Sequence, residues 1–277
     1  MKKYRVPRTT YHECSVKLPV LNYHGIESRE GEYAWLEAEK IYVLSTDVFK
    51  KQLEYLAASG RSTLSLEQLE TWLKGRGDSK SVLLTFDDGH VSHFEHVASL
   101  LKANRLSGIF FISAAFVGRK NQMDCGELRE LVREGFEIGS HGMTHIPLTR
   151  LLEDELTDEI YQSKKILEDR LGIEVKSFSV PRGFYHSRIT SKARAAAYRF
   201  LFTSQFELVE EGGDPLGLAR LAVKREFSFE TFSRMVEGDL GRMKYSERLK
   251  EWTRRVVPPA IYTRLAETKS RMKAGAI

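Results

Sequence analysis

The pattern of apolar and polar positions changes repeatedly between the two periods that distinguish strands from helices. Short apolar runs, typical of buried strands, end near residues 24, 86, 112, 138, 180 and 203. Segments with apolar residues three to four positions apart lie between them and predict helices over 46–59, 66–73, 94–101, 127–133, 153–171 and 191–198. Strands that alternate with helices in this way form parallel sheets, so the pattern predicts an α/β fold.

Capping residues set several of these helix boundaries. Ser45 precedes the first helix and Gly60 follows it, as expected for an N-cap and a C-terminal glycine. Ser65 and Gln68 have the spacing of a capping box at the start of the second helix. Gly172 ends the long helix over 153–171.

Two polar segments follow predicted strands, Thr-Phe-Asp-Asp-Gly at 85–89 and Ser-His-Gly-Met-Thr-His at 140–145. One Asp with two His is a common ligand set for a hydrolytic Zn²⁺ that keeps positions open for water and substrate. Consecutive side chains at a strand end point in different directions, so the Asp that does not bind the metal is free to act as a base. His141 and His145 can share a metal if their segment turns helically.

Each segment also has a plainer interpretation. Asp-Asp-Gly is common in turns and at helix starts, and two His four positions apart are often surface or core residues. Their joint occurrence, each directly after a buried-looking strand, favours a site, because active sites of α/β proteins lie at the carboxyl ends of such strands.

The two segments resemble the first two motifs of the NodB-homology polysaccharide deacetylases, carbohydrate esterase family 4, and residues 178–183, Phe-Ser-Val-Pro-Arg-Gly, stand in the place of the third. The resemblance covers roughly residues 18 to 235. It implies a distorted (β/α)₇ barrel and a metal-dependent N-deacetylase. It also implies that Asp87 is the general base and that Asp88, His141 and His145 hold the metal. Zn²⁺ is favoured, with Co²⁺, Ni²⁺ or Mn²⁺ as alternatives.

The third motif departs from the family pattern Arg-x-Pro-x-Gly, in which the Arg contacts the base. Ser179 stands where that Arg is expected, and Arg182 follows three residues later. We expect Pro181, Arg182 and Tyr185 to contact the substrate or the oxyanion. The family's late Leu-x-His motif, which supplies the general acid, is also missing, since the last histidine is His186.

A candidate replacement for the acid lies near the N-terminus. The apolar run that begins at Leu18 ends in Tyr23 and His24. It resembles the Tyr-His element that opens the circularly permuted branch of the family, where the acid-bearing strand stands at the front of the chain. This resemblance implies that His24 is the general acid. The alternative is a histidine in a strand-end turn before Gly25.

Length and composition are consistent with one catalytic domain over 18–240, preceded by an extension, 1–17. The chain has 277 residues, and its hydrophobic content of 42% is ample for a core. No stretch approaches the roughly 20 apolar residues of a transmembrane helix, and Met1 is not followed by a signal-peptide pattern. The two cysteines make no disulfide framework. A cytoplasmic location is therefore expected.

The C-terminal tail, 241–277, carries most of the positive charge. It has ten Lys or Arg and three Glu, a net charge of +7, whereas the whole chain carries +5. Apolar residues interspersed with these charges predict contact with an anionic membrane at its inner face. The alternative is a solvated tail that packs one apolar stripe on the barrel. No recognition fold accompanies the charge, so nucleic acid is not an expected partner.

The functional prediction is removal of N-acetyl groups from N-acetylhexosamine units of a polysaccharide or glycan precursor, as in exopolysaccharide biosynthesis. One alternative is a deformylase or another non-peptide C–N amide hydrolase of the same fold. The other is a non-catalytic carbohydrate-binding relative. A free carboxylate beside three ligands argues against the last, because binding alone does not need Asp87.

Overall fold

Eight parallel strands form one curled sheet in the computed structural model of the chain, which describes residues 16–183, 185–241 and 243–247. In chain order, all strands of the described residues, including those outside this sheet, are β1 (Lys17–Leu18), β2 (Val20–Tyr23), β3 (Ile26–Glu27), β4 (Leu44–Ser45), β5 (Ser62–Thr63), β6 (Ser81–Phe86), β7 (Ile109–Ile112), β8 (Glu137–Ser140), β9 (Ser177–Ser179), β10 (Phe200–Phe202), β11 (Val209–Glu210) and β12 (Leu221–Ala222). The order across the sheet is β10, β9, β8, β7, β6, β2 and β12, and β5 pairs with β6 outside this order. The predicted α/β fold with parallel strands is confirmed.

Helices connect the strands along the chain. They are α1 (Thr46–Ala58), α2 (Leu66–Thr71), α3 (Ala98–Ala103), α4 (Cys125–Arg133), α5 (Glu153–Leu171), α6 (Ser187–Ala195) and α7 (Phe229–Val236). The predicted caps are present. The Ser45 side chain accepts from the Val48 backbone, and Ser65 with Gln68 makes a capping box. Gly172 ends α5 in the left-handed conformation.

Several predicted helix bounds differ from the structure. Helix α4 begins two residues earlier than predicted, and α2 ends two residues earlier, where a π-helical turn, Trp72–Arg76, follows it. The helix predicted over 191–198 is α6, which begins four residues earlier because the His186 side chain caps it by accepting from the Arg188 backbone. Histidine is not among the usual capping residues, so the sequence carried no clear start signal. The helix predicted over 94–101 begins with a wider π-helical turn, His93–Val97, before α3. Helix α7 was not predicted.

Side chains of the central strands alternate between two apolar layers. On β7, Ile109 and Phe111 lie in one cluster, whereas Phe110 and Ile112 lie in the other. On β6, Leu83 belongs to the first cluster, and its neighbours on both sides belong to the second. Both faces of the sheet are therefore buried, which explains why these strands are continuous apolar runs.

The curled sheet brings its two edges close together. The backbone of Leu218, just before β12, donates to Leu201 on β10 and accepts from Thr203, both at 2.8 Å. Strand β12 pairs in parallel with β2 at the other edge. Residues after β10 and before β12 therefore lie beside strand ends that are far away in the sequence.

None of the helices in the described ranges is long and apolar enough to cross a membrane. Most of the predicted basic tail and nearly all of the predicted N-terminal extension lie outside the described residues. The division into extension, catalytic domain and tail, and the membrane contact of the tail, stay predictions.

Candidate active site

Parallel register places Asp87 and His24 next to each other. Asp87 directly follows β6 and His24 directly follows β2, and the two strands pair so that Phe86 lies opposite Tyr23. The Asp87 backbone extends the ladder by donating to the Tyr23 carbonyl at 2.9 Å. Carboxyl ends of parallel strands meet at one edge of the sheet, so two polar motifs 63 positions apart reach one place.

Asp87 is buried in a polar network. Arg220 donates to both of its oxygens, with Nη1–Oδ1 and Nη2–Oδ2 distances of 2.8 Å. The Ser179 hydroxyl lies 3.2 Å from Oδ1 and accepts from Arg220 at 2.8 Å. The Asn22 amide donates to Oδ2 at 3.1 Å. Asp87 and Arg220 are only 2% and 1% exposed, so this is a buried, two-pronged ion pair.

Arg220 decides the protonation state of Asp87. Burial by itself would raise the pKa of this carboxyl, but the Arg220 charge and hydrogen bonds, with His141 nearby, hold the pKa well below its usual range. Asp87 is therefore ionised throughout the neutral pH range.

Arg220 also supplies the arginine contact to Asp87 that the third motif lacks. Arg182, the arginine nearest to that motif in sequence, is exposed and adopts a left-handed backbone with φ of 57°. Ser179 occupies the expected arginine position on β9, and its small side chain leaves room for the guanidinium that arrives from the β12 side. Sequence reasoning missed Arg220. The available signal was an arginine flanked by apolar residues, Leu-Ala-Arg-Leu at 218–221.

Asp88, His141 and His145 converge beside Asp87. Asp88 Oδ1 lies 3.4 Å from His141 Nε2 and 3.1 Å from His145 Nε2. All three residues offer ligand atoms within 4.8 Å of one another. The structure therefore brings together the three residues that the sequence predicted as a ligand set.

This cluster fits a metal ion in both spacing and chemistry. Ligand atoms about 2.0–2.2 Å from Zn²⁺ lie roughly 3.3–3.6 Å apart in a tetrahedral sphere, close to the distances found here. His141 Nδ1 lies 2.9 Å from the Ser179 carbonyl, which only accepts, so Nδ1 carries the proton and Nε2 keeps its lone pair. Asp88 Oδ1 is buried and has no regular hydrogen-bond donor among the described residues.

The path from His141 to His145 is a loop rather than the helical turn considered from the sequence. Gly142 and His145 have positive φ values, 76° and 58°, which a helix excludes. Glu159 on α5 organises the loop. Its carboxylate accepts from the backbones of Met143 at 2.7 Å and Thr144 at 3.2 Å, and from the Thr144 hydroxyl.

His24 lies over the same cavity. Its Nδ1 is buried and without a hydrogen-bond partner among the described residues, and its ring stacks on Tyr42 at 4.8 Å. Burial lowers the pKa of this imidazole, although the Asp88 and Asp87 carboxylates oppose the shift. His93 lies 2.6 Å from the His24 carbonyl and holds the backbone of this residue.

The cavity between these residues measures about 220 Å³. Its lining includes His24, Asp87, Asp88, His145, Trp35 and His90. Pro181, Arg182 and Tyr185 are not among its lining residues. The Tyr185 hydroxyl instead contacts Thr190 at 2.7 Å, and Pro181 packs near Gly142, in the loop between His141 and His145. Their contact with substrate stays a prediction.

Comparison with known proteins identifies the relatives of this chain. The sequence profile described as polysaccharide deacetylase matches residues 74–201. YxkH of Bacillus subtilis (strain 168), named for the same family, is 24% identical, and the alignment covers 81% of this chain and 78% of that protein. The poly-beta-1,6-N-acetyl-D-glucosamine N-deacetylase of Staphylococcus aureus (strain MRSA252) is 21% identical, over 79% of this chain and 82% of that protein.

A solved structure shares the fold. The deacetylase PplD of Streptococcus pyogenes, determined in complex with acetate, superposes with a TM-score of 0.73 at 23% identity, covering 80% of this chain and 99% of that one. The distorted barrel of the NodB-homology type is therefore confirmed. The residues matched by the profile, 74–201, include all three sequence motifs that predicted a resemblance to this family.

Proposed function

We propose that this chain of the polysaccharide deacetylase family is a metal-dependent hydrolase that removes N-acetyl groups from N-acetylhexosamine units of a polysaccharide or glycan precursor. The observation that carries the proposal is the Asp88, His141 and His145 cluster beside a buried, ionised Asp87. Three residues would hold a metal, and the fourth charged group, besides pairing with Arg220, lines the same cavity and so lies where the chemistry needs a proton acceptor.

The substrate class is supported by the relatives and by the chemistry of the cavity. One relative over most of the chain is named as a deacetylase of poly-N-acetylglucosamine. The cavity combines aromatic side chains with polar groups, as expected of a site that binds a sugar ring. We therefore favour an acetamide on a hexosamine over other amide substrates.

Asp88, His141 and His145 would hold the metal, for which Zn²⁺ suits one carboxylate and two imidazoles. Such an ion supplies Lewis acidity, which polarises the acetamide carbonyl and lowers the pKa of a bound water. The protein residues supply the orientation of the ligands, the exclusion of bulk water and the proton transfers.

Asp87 is the proposed general base. Arg220 keeps its carboxylate ionised. Oδ2 accepts from both Arg220 and Asn22, whereas Oδ1 accepts from Arg220 and only over 3.2 Å from Ser179, so Oδ1 is the proposed acceptor of the proton of the attacking water. The three partners of Asp87 also fix the carboxylate in one orientation. This fixed geometry offsets the weak basicity of a carboxylate whose pKa is low.

His24 is the proposed general acid, which protonates the departing amine. Its Nδ1 is sealed in the protein, so Nε2 is the nitrogen that delivers the proton to the cavity. Because burial lowers its pKa, the protonated form is lost as the pH rises through a value below that of a free histidine, about 6.5. Activity should fall on the alkaline side from that point.

The test is acetate release from N-acetylglucosamine oligomers by Zn²⁺-loaded protein, compared with Asp87→Asn. The variant should bind Zn²⁺ as the wild type does and lose about 10²–10⁴-fold in turnover, because only the proton acceptor is removed. Acetate release by the two proteins at equal rates, or none by a metal-loaded wild type, would overturn the proposal.

His24→Ala tests the acid in the same assay. It should retain Zn²⁺, lose about 10²–10⁴-fold in turnover and lose the alkaline limb of the pH profile. Near-normal turnover would remove His24 from the mechanism and leave the role of Asp87 intact.

A further inference from the structure

His90 lines the cavity two positions after the proposed ligand Asp88, and the proposed mechanism does not use it. We propose that His90 is a specificity-determining residue, whose Nε2–H donates a hydrogen bond to an oxygen of the N-acetylhexosamine bound in this cavity. The inference rests on the proposed function and deepens it, because it identifies the group that distinguishes a sugar from a bare acetamide.

Hydrogen bonding fixes which nitrogen of His90 carries the proton. The Ser92 backbone N–H lies 3.1 Å from Nδ1, and a backbone amide only donates. Nδ1 must therefore accept, and the Ser92 hydroxyl at 2.9 Å can donate to the same atom. The neutral ring then has its proton on Nε2.

Nε2 is the free donor of this ring. It has no hydrogen-bond partner among the described residues, and it is absent from the set of buried side-chain atoms that lack one. It is therefore open to solvent, and the cavity is the space that the His90 side chain lines. A donor of fixed direction at the edge of a cavity is suited to an uncharged oxygen acceptor such as a hydroxyl or carbonyl.

Two aromatic residues hold the His90 ring in place. The Trp35 ring lies over it at 4.1 Å between centroids, and the Tyr33 ring meets it edge-on at 4.7 Å. His90 is only 6% exposed as a result. The ring has little freedom to turn, so the direction of Nε2–H is set before a ligand arrives.

The two aromatic residues, Trp35 and Tyr33, are themselves anchored to the barrel. Trp35 Nε1 donates to Glu27 at 3.2 Å, and the Tyr33 hydroxyl contacts both Glu95 and His96. Gly25 is required for the packing of Trp35, because a Cβ at this position would lie 2.5 Å from the indole. These contacts hold Trp35 and Tyr33 in fixed positions beside His90.

A donor of this kind affects sugar binding but not metal binding. A single neutral hydrogen bond contributes modestly to affinity, and its loss typically weakens binding about 3–10-fold. Acetate, the product of the proposed reaction, lacks the hexosamine ring whose oxygen His90 would bind. Its binding should therefore not depend on His90.

The experiment uses His90→Phe, which keeps an aromatic ring between Trp35 and Tyr33 and removes Nε2–H. Binding of N-acetylglucosamine pentamer is measured by calorimetry in the Zn²⁺-loaded Asp87→Asn background, so that no turnover occurs. Acetate and Zn²⁺ binding are measured on the same two proteins. We expect pentamer affinity to fall about 3–10-fold, with acetate and Zn²⁺ affinities unchanged.

His90→Gln is the second variant, because its amide can place an N–H donor near the position of Nε2. It should recover part of the lost affinity. Unchanged pentamer binding in His90→Phe would overturn the inference, and so would a parallel loss of all three affinities, which would mark a structural role.

The binding measurement separates this inference from the proposed function. Failure of the wild type to release acetate, together with His90-dependent pentamer binding, would overturn the deacetylase proposal and support the role of His90. Acetate release by the wild type with pentamer binding that is independent of His90 would do the opposite.

Discussion

The two neighbouring aspartates of the site are held in opposite ways. Asp87 lies against the sheet, 2% exposed, with hydrogen bonds from Asn22, Ser179 and Arg220. Asp88 lies one residue further along, in a left-handed turn with φ of 78°. We call the first set, Asn22, Asp87, Ser179 and Arg220, the sheet-held half, and Asp88 with His145 the loop-held half.

The difference concerns what maintains each half. The sheet-held half needs no ligand to balance its charge, since Asp87 meets Arg220; its one buried polar side-chain atom without a partner among the described residues is Asn22 Oδ1. In the loop-held half, both residues have the left-handed backbone, a conformation that costs about 1–3 kcal/mol in a non-glycine residue. The side chains of Asp88 and His145 converge, and the Glu159 carboxylate accepts from the backbone of the loop that carries His145. A metal ion would complete this half.

The largest effect is expected from removing a ligand. His145→Ala should abolish acetate release and weaken Zn²⁺ binding by more than the about 10–100-fold that loss of an outer partner costs. Calorimetric Zn²⁺ titration and acetate assays measure both.

Removal of the metal with a chelator tests whether the two halves respond differently. Amide exchange at Met143 and Thr144 should accelerate in the metal-free wild type, because these amides lie in the loop. The Asp87 amide, bonded to the Tyr23 carbonyl in the sheet, should be unaffected. Equal acceleration at all three would contradict the division into halves.

Arg220→Met tests the sheet-held half. It leaves the Asp87 charge buried without its partner, so the free energy of unfolding should fall by about 3–5 kcal/mol in urea denaturation. Arg225→Met is the control, because Arg225 pairs with Glu30 on the surface, with side chains 48% and 85% exposed. Such pairs contribute about 0–1 kcal/mol.

The pH dependence of this variant has a definite sign. In the wild type the depressed pKa of Asp87 means that the pair stabilises the fold above the unfolded-state pKa, about 3.9, and less as the pH falls further. Without Arg220, burial raises the pKa, and protonation relieves the buried charge. The stability difference between the two proteins should narrow as the pH falls through the raised value. A difference that stays constant with pH would contradict this account.

Of the three substitutions, His145→Ala, Arg220→Met and Glu159→Gln, the last should have the smallest effect. A Gln side chain can still accept from both backbone amides with its one carbonyl oxygen, but it is neutral, so these bonds lose the extra strength that the carboxylate charge gives them. Zn²⁺ affinity should fall about 10–100-fold, with Asp87 unaffected. Asp158→Asn, an exposed neighbour on the same helix, should leave Zn²⁺ affinity unchanged. An equal loss in both variants would assign the effect to α5 as a whole.

Local signals in the sequence were sufficient for much of the fold. The bounds of α5 and the caps of α1 and α2 agree with the prediction, because each depends on hydrogen bonds within a few residues. The start of α6 was wrong, since a histidine supplies its cap. The site residues Asp87, Asp88, His141 and His145 were found because the end of a buried strand is itself a local pattern.

The sequence by itself therefore determined the α/β class, which depends on periodicity and short spacing. It also predicted the proposed ligands and base, through the resemblance of its motifs to those of a known family. Only the tertiary structure decided that Arg220, 133 positions from Asp87, is its partner. It also decided that a loop supported by Glu159 joins the two histidines, and that Trp35 packs on His90. These contacts depend on how a curled sheet brings its edges together, and no periodic pattern along the chain indicates which distant residues become neighbours.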